Sequence, residues 1–181
     1  MSVIVVSSYL PKLGERAYRS EKFRVVGLPC GDDDLDYYRG LEVVWGGNHT
    51  IVNVEHDMEC SDELIQDLLD CPHPACTHAY PLRQWGHIAH RHGPLPPAGS
   101  MDWWLRPDEE EEWATYGGIG FCKMTPEARV RPLSEPREWP TLDVIVARAV
   151  EGPEVVPHGA YEGKRWHVHW PAIEHYHPPG A

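Results

Sequence analysis

The sequence predicts an α/β domain with a mainly parallel central sheet. In the first 70 residues, short apolar β-branched runs alternate with amphipathic segments of helical spacing, and Gly, Pro or acidic residues mark each change. This alternation favours parallel strands covered by helices, because each crossover lays a helix on the sheet. At 181 residues the chain has the length of one domain, so we expect a single domain over residues 1–181.

Three short apolar runs predict strands, at residues 3–6, 23–28 and 51–54. Val and Ile dominate these runs, and β-branched side chains fit the pleated surface of a sheet. The first run leads to Pro11 and the second to Pro29, and proline there indicates a turn. We therefore expect three strands in the first third of the chain.

Two segments beside these strands predict helices. The acidic triplet 32–34 supplies an N-cap and a favourable charge for a helix that ends at Gly46. Ser61 is an N-cap for a second helix, whose apolar face continues until Pro72. Residues 1–70 should thus form a strand, a turn, a strand, a helix, a strand and a helix.

The remainder of the chain is less regular. Residues 71–112 are dense in proline, glycine and histidine and show no periodicity, which predicts a long irregular region. Helix starts are predicted at Thr125 and Thr141. Residues 165–170 alternate as a strand does, with Trp166, Val168 and Trp170 on one face and His167 and His169 on the other.

Composition and charge narrow the classes of protein to consider. The formal net charge of −12 repels polyanions and lowers the odds of tight nucleic-acid binding. No apolar run approaches the roughly 20 residues that span a bilayer, and the start has no basic leader. The five cysteines are an odd number, which favours reduced thiols. We expect a cytoplasmic protein.

Glu55-His56-Asp57 is the most informative stretch, because three ionisable residues directly follow an apolar run. Carboxylates at the carboxyl end of such a strand lie where open α/β sheets bind ligands. Their oxygens suit Mg²⁺ or Mn²⁺ and, through the metal, a phosphate group. An imidazole from His167, His169, His175 or His177 could share that cation. The alternative is a charged strand end in solvent and a histidine-rich tail.

A second carboxylate of interest is Asp143, in Trp139-Pro-Thr-Leu-Asp143. It falls at the second position of the predicted helix, where the helix dipole favours its ionised form. Such a carboxylate could take a proton from an acceptor hydroxyl. The alternative is an acid that only stabilises the first helical turn, which is a common feature.

Cysteine and histidine are concentrated between residues 71 and 78. The two thiols and two imidazoles of Cys71, His73, Cys76 and His78 could bind a structural Zn²⁺. The usual spacing of zinc fingers and ribbons is absent, so the alternative is a loop with buried cysteines. The glycines at 46–47 and 117–120 would let a ligand approach the backbone, without the full spacing of a phosphate-binding fingerprint.

In their order along the chain, these pieces resemble the GT-A glycosyltransferases, particularly small bacterial and phage enzymes of that fold. The matching segments are residues 3–9, 25–34, 46–48, 52–59, 117–123, 139–143 and 167–177. The resemblance implies a single GT-A-like, Rossmann-like domain. Residues 1–70 would be its nucleotide-sugar-binding half, 71–112 its irregular acceptor loop, and 113–181 the half that completes the acceptor and metal sites.

The resemblance also implies a role for individual residues. Asp57 would bind Mn²⁺ or Mg²⁺ together with His169 or His175, and Asp143 would be the general base of an inverting transfer. The donor, with a UDP-sugar favoured, would contact Ser7, Ser8, Tyr9, Asp32, Asp33, Asn48, Glu55 and His56. The acceptor would contact Trp103, Trp104, Gly118 and Trp139.

The acceptor stays open at this point. A hydroxylated base in phage DNA, a small molecule and a surface glycan all offer a hydroxyl, and Trp103 and Trp104 could stack on a flipped base. Two other functions are kept as alternatives. One is a non-catalytic, zinc-stabilised binding protein, and the other is a nucleotide-sugar hydrolase that uses water as the acceptor.

Overall fold

The computed structural model describes residues 2–31, 35–81, 90–91, 113–114, 116–117, 119–129, 132–133, 150, 166–170 and 173. These residues form a seven-stranded sheet, a separate two-stranded sheet and two α-helices. The α/β class predicted from the sequence is confirmed. Within the described ranges, no helix has the length and apolar character needed to cross a membrane.

The elements follow one another along the chain in this order. The strands are β1 Ser2–Tyr9, β2 Val25–Pro29, β3 His49–Val54, β4 Ala75–His78, β5 His90–Arg91, β6 Trp113–Ala114, β7 Tyr116–Gly117, β8 Phe121–Met124 and β9 Trp166–His169. The helices are α1 Leu35–Trp45 and α2 Asp62–Asp70, and a 3-10 turn, Pro11–Leu13, follows β1.

The large sheet is mixed, because it contains both parallel and antiparallel pairs of neighbouring strands. Its strand order is β2-β1-β3-β8-β4-β9-β6, and β5 pairs with β7 separately. Strands β2, β1, β3, β4 and β9 run in one direction, whereas β8 is antiparallel to both β3 and β4, and β6 is antiparallel to β9. The prediction is therefore right for the direction of most strands and wrong for the pairing at β8.

The predicted order of elements in the first 70 residues is confirmed. The apolar periods predict the positions of these strands and helices correctly, with ends shifted by up to three residues. The Ser61 hydroxyl accepts a hydrogen bond from the backbone N–H of Leu64 at 3.2 Å, so the predicted N-cap of α2 is present. The predicted cap of α1 falls on residues 32–34, outside the described residues.

Two predictions for the rest of the chain are wrong. Ala75–His78 is not irregular: it is β4, a strand between β8 and β9 whose residues are all buried. A four-residue strand that is buried on both faces shows no alternation, so periodicity could not detect it. Residues 125–129 form a turn instead of a helix start, and the N–H groups of Ala128 and Arg129 donate to the Thr125 carbonyl.

Each helix covers one face of the large sheet. Alternate residues along β1 and β3 belong to two separate buried clusters, one with α1 and one with α2. The predicted alternation at β9 is confirmed, since Trp166 and Val168 pack on the α1 side. The side chains of His167 and His169 consequently face α2.

Candidate functional site

The sequence motif at residues 55–57 forms a turn at the carboxyl end of β3. The N–H of Glu55 donates to the Gly120 carbonyl at 2.7 Å, and the N–H of Met58 donates to the Glu55 carbonyl at 3.2 Å. His56 is exposed, whereas Glu55 and Asp57 are partly buried. We call this segment the 55–57 turn; it holds two carboxylates at one edge of the sheet.

This edge contains the point where the strand order reverses. From β1 the chain passes to β2 on one side and later to β3 on the other side, and both neighbours are parallel to β1. A crevice between two such strands, at their carboxyl ends, is where open α/β sheets bind ligands. The 55–57 turn follows β3 at this position, and Tyr9 ends β1 beside it.

The carboxyl end of β2 and the start of α1 share this edge. Burial raises the pKa of the Cys30 thiol, and the neighbouring carboxylates of Asp36 and Glu55 raise it further. The N–H of Gly31 donates to the Asp36 carboxylate at 2.9 Å, which ties the end of β2 to the first turn of α1. The site therefore combines acidic side chains with a helix N-terminus, which is electrostatically positive.

The serines predicted to bind a donor lie at this edge but on opposite faces of the sheet. Ser7 is buried, and its hydroxyl accepts a hydrogen bond from the backbone N–H of Tyr18 at 2.9 Å. Ser8 is also buried. Because it is the next residue along the strand, its side chain lies on the opposite face, which α1 covers. The Ser7 hydroxyl thus holds the loop after β1, and Tyr9 is the more accessible of the three residues.

Asn48 does not belong with these residues. It is exposed and directly precedes β3, so it lies at the amino edge of the sheet. A strand of this length separates it from Glu55 by about 20 Å. The sequence-based grouping of Asn48 with the donor residues is therefore wrong. Asn48 instead lines a cleft of about 500 Å³ beneath the end of α1, together with Trp45 and Arg129.

The structure does not bring His169, one of the two predicted metal-binding histidines, to Asp57. Strand β3, which precedes Asp57, is separated from β9 by β8 and β4, a distance of about 14 Å across the sheet. Within the described ranges, groups of three close ligand atoms contain His169 but not Asp57. His175, the other predicted partner of Asp57, lies outside the described residues.

His169 instead belongs to a cluster between α2 and the strands β4 and β9. Two groups of potential metal ligands meet there, with the donor atoms of each group within 4.8 Å of one another: Cys71 with His167 and His169, and Asp67 with His78 and His169. We call these five residues the α2-face cluster. They meet because β4 pairs in parallel with β9, which places His78 beside His169.

The α2-face cluster is closely packed. The Sγ atom of Cys71 lies 3.5 Å from Nδ1 of His167. The carboxylate of Asp67 lies 2.5 Å from Nδ1 of His169 and 3.4 Å from Nε2 of His78. The rings of His167 and His169 are 5.0 Å apart, centroid to centroid, and the ring of His78 stacks on Phe121.

The protonation of this cluster follows from its surroundings. A hydrogen bond from Cys76 lowers the pKa of the Cys71 thiol to about 4, and His169 and the buried ammonium of Lys123 favour the thiolate as well. Burial raises the pKa of Cys76, which stays a thiol. Burial and the neighbouring His169 lower the pKa of His78 to about 4. At neutral pH the cluster therefore presents a thiolate and a neutral imidazole.

The predicted zinc quartet of Cys71, His73, Cys76 and His78 is corrected by this geometry. Cys71 and His78 take part in different ligand groups, and neither His73 nor Cys76 is in either group. The ring of His73 stacks near His167, with centroids 4.7 Å apart. Cys71 stays within hydrogen-bonding distance of Cys76, and the pairing of β4 with β9 brings in the histidines of β9 as its partners in the ligand group.

Asp67 and Lys123 were missed by the sequence reasoning. Asp67 occupies an ordinary position on a charged helix, and nothing in its neighbourhood distinguishes it from a solvated acid. Lys123 is buried, and its ammonium group donates to the Cys71 carbonyl at 2.6 Å. A lysine in the short strand β8, flanked by Cys122 and Met124, was the one available signal for a buried charge.

The remaining predicted site residues lie outside the described residues. They are the donor residues Asp32 and Asp33, the metal ligand His175, the general base Asp143, and the acceptor residues Trp103, Trp104, Gly118 and Trp139. Their roles stay predictions. The predicted donor residues that the structure describes are Ser7, Ser8, Tyr9, Asn48, Glu55 and His56, and it also describes the predicted metal ligand Asp57.

Comparison with known proteins adds little to this geometry. No family model and no curated protein matches the chain. Among solved structures, the crystal structure of A197 from STIV is similar, with a TM-score of 0.47 and 11% sequence identity. The match covers 70% of this chain and 66% of A197, slightly less than two thirds of that protein. Likeness at this level carries no argument about function.

Proposed function

We propose that the protein is a metal-dependent glycosyltransferase that moves a sugar from a nucleoside-diphosphate sugar to a hydroxyl acceptor. The observation that carries the proposal is the position of the 55–57 turn, at the carboxyl end of β3, where the strand order reverses beside β1. Two carboxylates at that point suit a hard divalent cation and, with it, a diphosphate.

Each part of this edge has a place in the proposed reaction. The carboxylates of Asp57 and Glu55 would hold Mn²⁺ or Mg²⁺, and the ion would neutralise the negative charge on the departing diphosphate. The N-terminus of α1, at the same edge, attracts anionic groups of the donor. Tyr9, at the end of β1, offers an aromatic surface beside them.

The acceptor side of the proposal rests on the resemblance alone. Asp143 would remove the proton of the acceptor hydroxyl while the sugar is displaced directly, and Trp103, Trp104, Gly118 and Trp139 would line the acceptor site. His175 is retained as the distant metal ligand. His169 is not retained in that role, because it faces α2 from β9, which β8 and β4 separate from the strand that precedes Asp57.

Calorimetric titration of nucleoside diphosphates tests the donor site directly. UDP, GDP and ADP are titrated into the full chain, with and without Mn²⁺. We expect one of them, with UDP favoured, to bind in a Mn²⁺-dependent manner, because an ion held by the Asp57 carboxylate would attract the negatively charged diphosphate. Absence of binding by every nucleotide in both conditions would overturn the proposal.

A second candidate is a non-catalytic, metal-stabilised binding protein. The α2-face cluster favours it, since thiolate and imidazole ligands are typical of structural zinc sites. The two candidates give different results in the same titration. A binding protein of this kind would retain zinc through dialysis but would show no metal-dependent affinity for any nucleoside diphosphate.

A further inference from the structure

The α2-face cluster and the 55–57 turn are suited to different metals. The 55–57 turn offers carboxylate oxygens, the ligands of Mg²⁺, Mn²⁺ and Ca²⁺. The group of Cys71, His167 and His169 offers one sulfur and two imidazole nitrogens, and thiolate sulfur and imidazole nitrogen are the donor types that zinc commonly takes in proteins. The two places are also separated by β8 and β4, so they cannot share one ion.

The distance between the donor atoms of Cys71 and His167 is the one expected for two ligands of the same zinc ion. Zinc binds cysteine sulfur at about 2.3 Å and histidine nitrogen at about 2.0–2.1 Å, so a tetrahedral angle separates the two donors by about 3.6 Å. The observed distance from Cys71 Sγ to His167 Nδ1 is 3.5 Å. These two side chains therefore already stand at the separation that a shared zinc requires.

In the other ligand group, Asp67 Oδ2 and His169 Nδ1 stand too close together to be ligands of the same ion. Asp67 Oδ2 and His169 Nδ1 are 2.5 Å apart, whereas two ligands of one tetrahedral zinc lie about 3.3 Å apart. The short contact is instead a hydrogen bond between a carboxylate and an imidazole N–H. Metal-binding histidines commonly donate their second N–H in this way, which fixes the ring for coordination through the other nitrogen.

That other nitrogen is available. Nε2 of His169 is buried and has no hydrogen-bond partner among the described residues. His169 is also the member that both ligand groups share, so its ring stands between Asp67 and the pair of Cys71 and His167. A buried polar atom without a partner is costly in a folded protein, and coordination of a cation would satisfy it.

We infer that the protein has a zinc site formed by Cys71 Sγ, His167 Nδ1 and His169 Nε2, with Asp67 as the residue that orients His169. This site is independent of the proposed donor site. Three protein ligands leave the fourth zinc position open, as in catalytic zinc sites. Of the three ligands, Cys71 also lines a cleft of about 450 Å³, together with His73.

Cobalt substitution of the full chain, purified without a histidine tag, tests the site. Metal is first removed with a chelator, and Co²⁺ or Zn²⁺ is then added and the excess dialysed away. We expect about one zinc per chain by elemental analysis, and a thiolate-to-cobalt charge-transfer band with intense tetrahedral d–d bands. Absence of the thiolate band in the wild-type protein would overturn the inference, whatever the variants do.

Variants identify the ligands. Cys71→Ser and His167→Gln should lose the stoichiometric metal, whereas the matched control Cys60→Ser should keep it, since Cys60 is outside both ligand groups. Asp67→Asn should bind zinc about 10–100-fold more weakly without losing the thiolate band, as expected for a residue that acts through His169. A thiolate band that survives in Cys71→Ser would overturn the assignment.

The zinc experiment and the nucleotide titration test separate proposals, so one proposal can be overturned while the other is supported. Loss of zinc in Cys71→Ser, with metal-dependent nucleotide binding unchanged, would support a separate zinc site. Stoichiometric zinc in a chain that binds no nucleotide would support the zinc site and overturn only the glycosyltransferase proposal. Metal that is held by the histidine-rich C-terminus alone would show no thiolate band and would contradict the inference.

Discussion

At the scale of single residues, the type of donor atom separates the two candidate sites. Asp57 and Glu55 offer hard oxygen ligands at the carboxyl edge, and Cys71, His167 and His169 offer sulfur and nitrogen on the α2 face. His169 was expected to complete the site of Asp57. Because side chains alternate between the two faces of β9, the side chain of His169 instead faces α2, where the Asp67 carboxylate contacts its ring.

Replacement of Asp57 by Asn should abolish the Mn²⁺ dependence of nucleotide binding. The amide keeps the shape of the side chain but carries no charge for the cation, so we expect the affinity with Mn²⁺ to fall at least about 10-fold. Calorimetry measures the effect. Asp70→Asn is the matched control, because Asp70 is exposed at the far end of α2. Full Mn²⁺-dependent affinity in Asp57→Asn would contradict the proposed role.

At the scale of elements, the side chain of one arginine caps the C-terminal end of α1. The buried guanidinium of Arg129 donates to the carbonyl oxygens of Val44 at 3.3 Å and Gly47 at 3.0 Å, and also to those of Trp45 and His49. The last carbonyls of a helix have no partners within the helix. A cation at this end also interacts favourably with the negative end of the helix dipole. This contact joins the turn after β8 to the start of β3.

Arg129→Met should destabilise the fold by about 2–4 kcal/mol, because several buried carbonyls lose their donor at once. Urea denaturation followed by circular dichroism measures the free energy of unfolding. Arg39→Met is the control: its side chain is 59% exposed, and we expect a change below about 0.5 kcal/mol. Equal effects of the two substitutions would show that Arg129 does not hold the end of α1.

Hydrogen bonds to the Asp62 carboxylate tie the loop after β1 to α2, and their strength depends on pH. The hydroxyl of Tyr18 donates to the Asp62 carboxylate at 2.6 Å. Hydrogen bonds from Ser20 and Tyr18 hold the pKa of Asp62 below its usual value of 3.8. A lowered pKa in the folded state contributes stability above the unfolded pKa, and this contribution disappears as the pH falls through the folded value.

Tyr18→Phe should therefore melt at a lower temperature than the wild type at neutral pH. The difference should begin to shrink as the pH falls below the unfolded pKa of 3.8, and should disappear once the pH is below the lowered pKa of Asp62 in the folded protein. Thermal melts of both proteins between pH 3 and 8 give the comparison. A difference in melting temperature that does not change with pH would mean that the ionised carboxylate of Asp62 contributes nothing through Tyr18.

At the scale of the whole molecule, the net charge of −12 bears on which acceptor the proposed glycosyltransferase would use. An acidic surface repels DNA, so binding to a nucleic acid would need a local basic patch. We expect no retention of the protein on unmodified duplex DNA at about 50 mM salt, which favours a small molecule or a glycan as acceptor. Retention that weakens steeply with added salt would favour modified DNA instead.

Local patterns determined much of the first half of the molecule. The strands β1, β2 and β3 and the helices α1 and α2 could be located from the sequence because hydrophobic period, caps and turn residues act over a few neighbouring positions. The placement of the 55–57 turn at a strand end followed in the same way. The strand β4 could not be found, since four buried residues carry no period.

The sequence by itself determined the α/β class, the acidic strand end and the two-faced pattern of β9. Only the tertiary structure decided which side chains meet. The antiparallel strand β8 keeps β3 apart from β4, and the pairing of β4 with β9 brings His167 to Cys71, 96 residues earlier in the chain. No local pattern encodes such a pairing, because burial and backbone hydrogen bonding across the whole sheet select it.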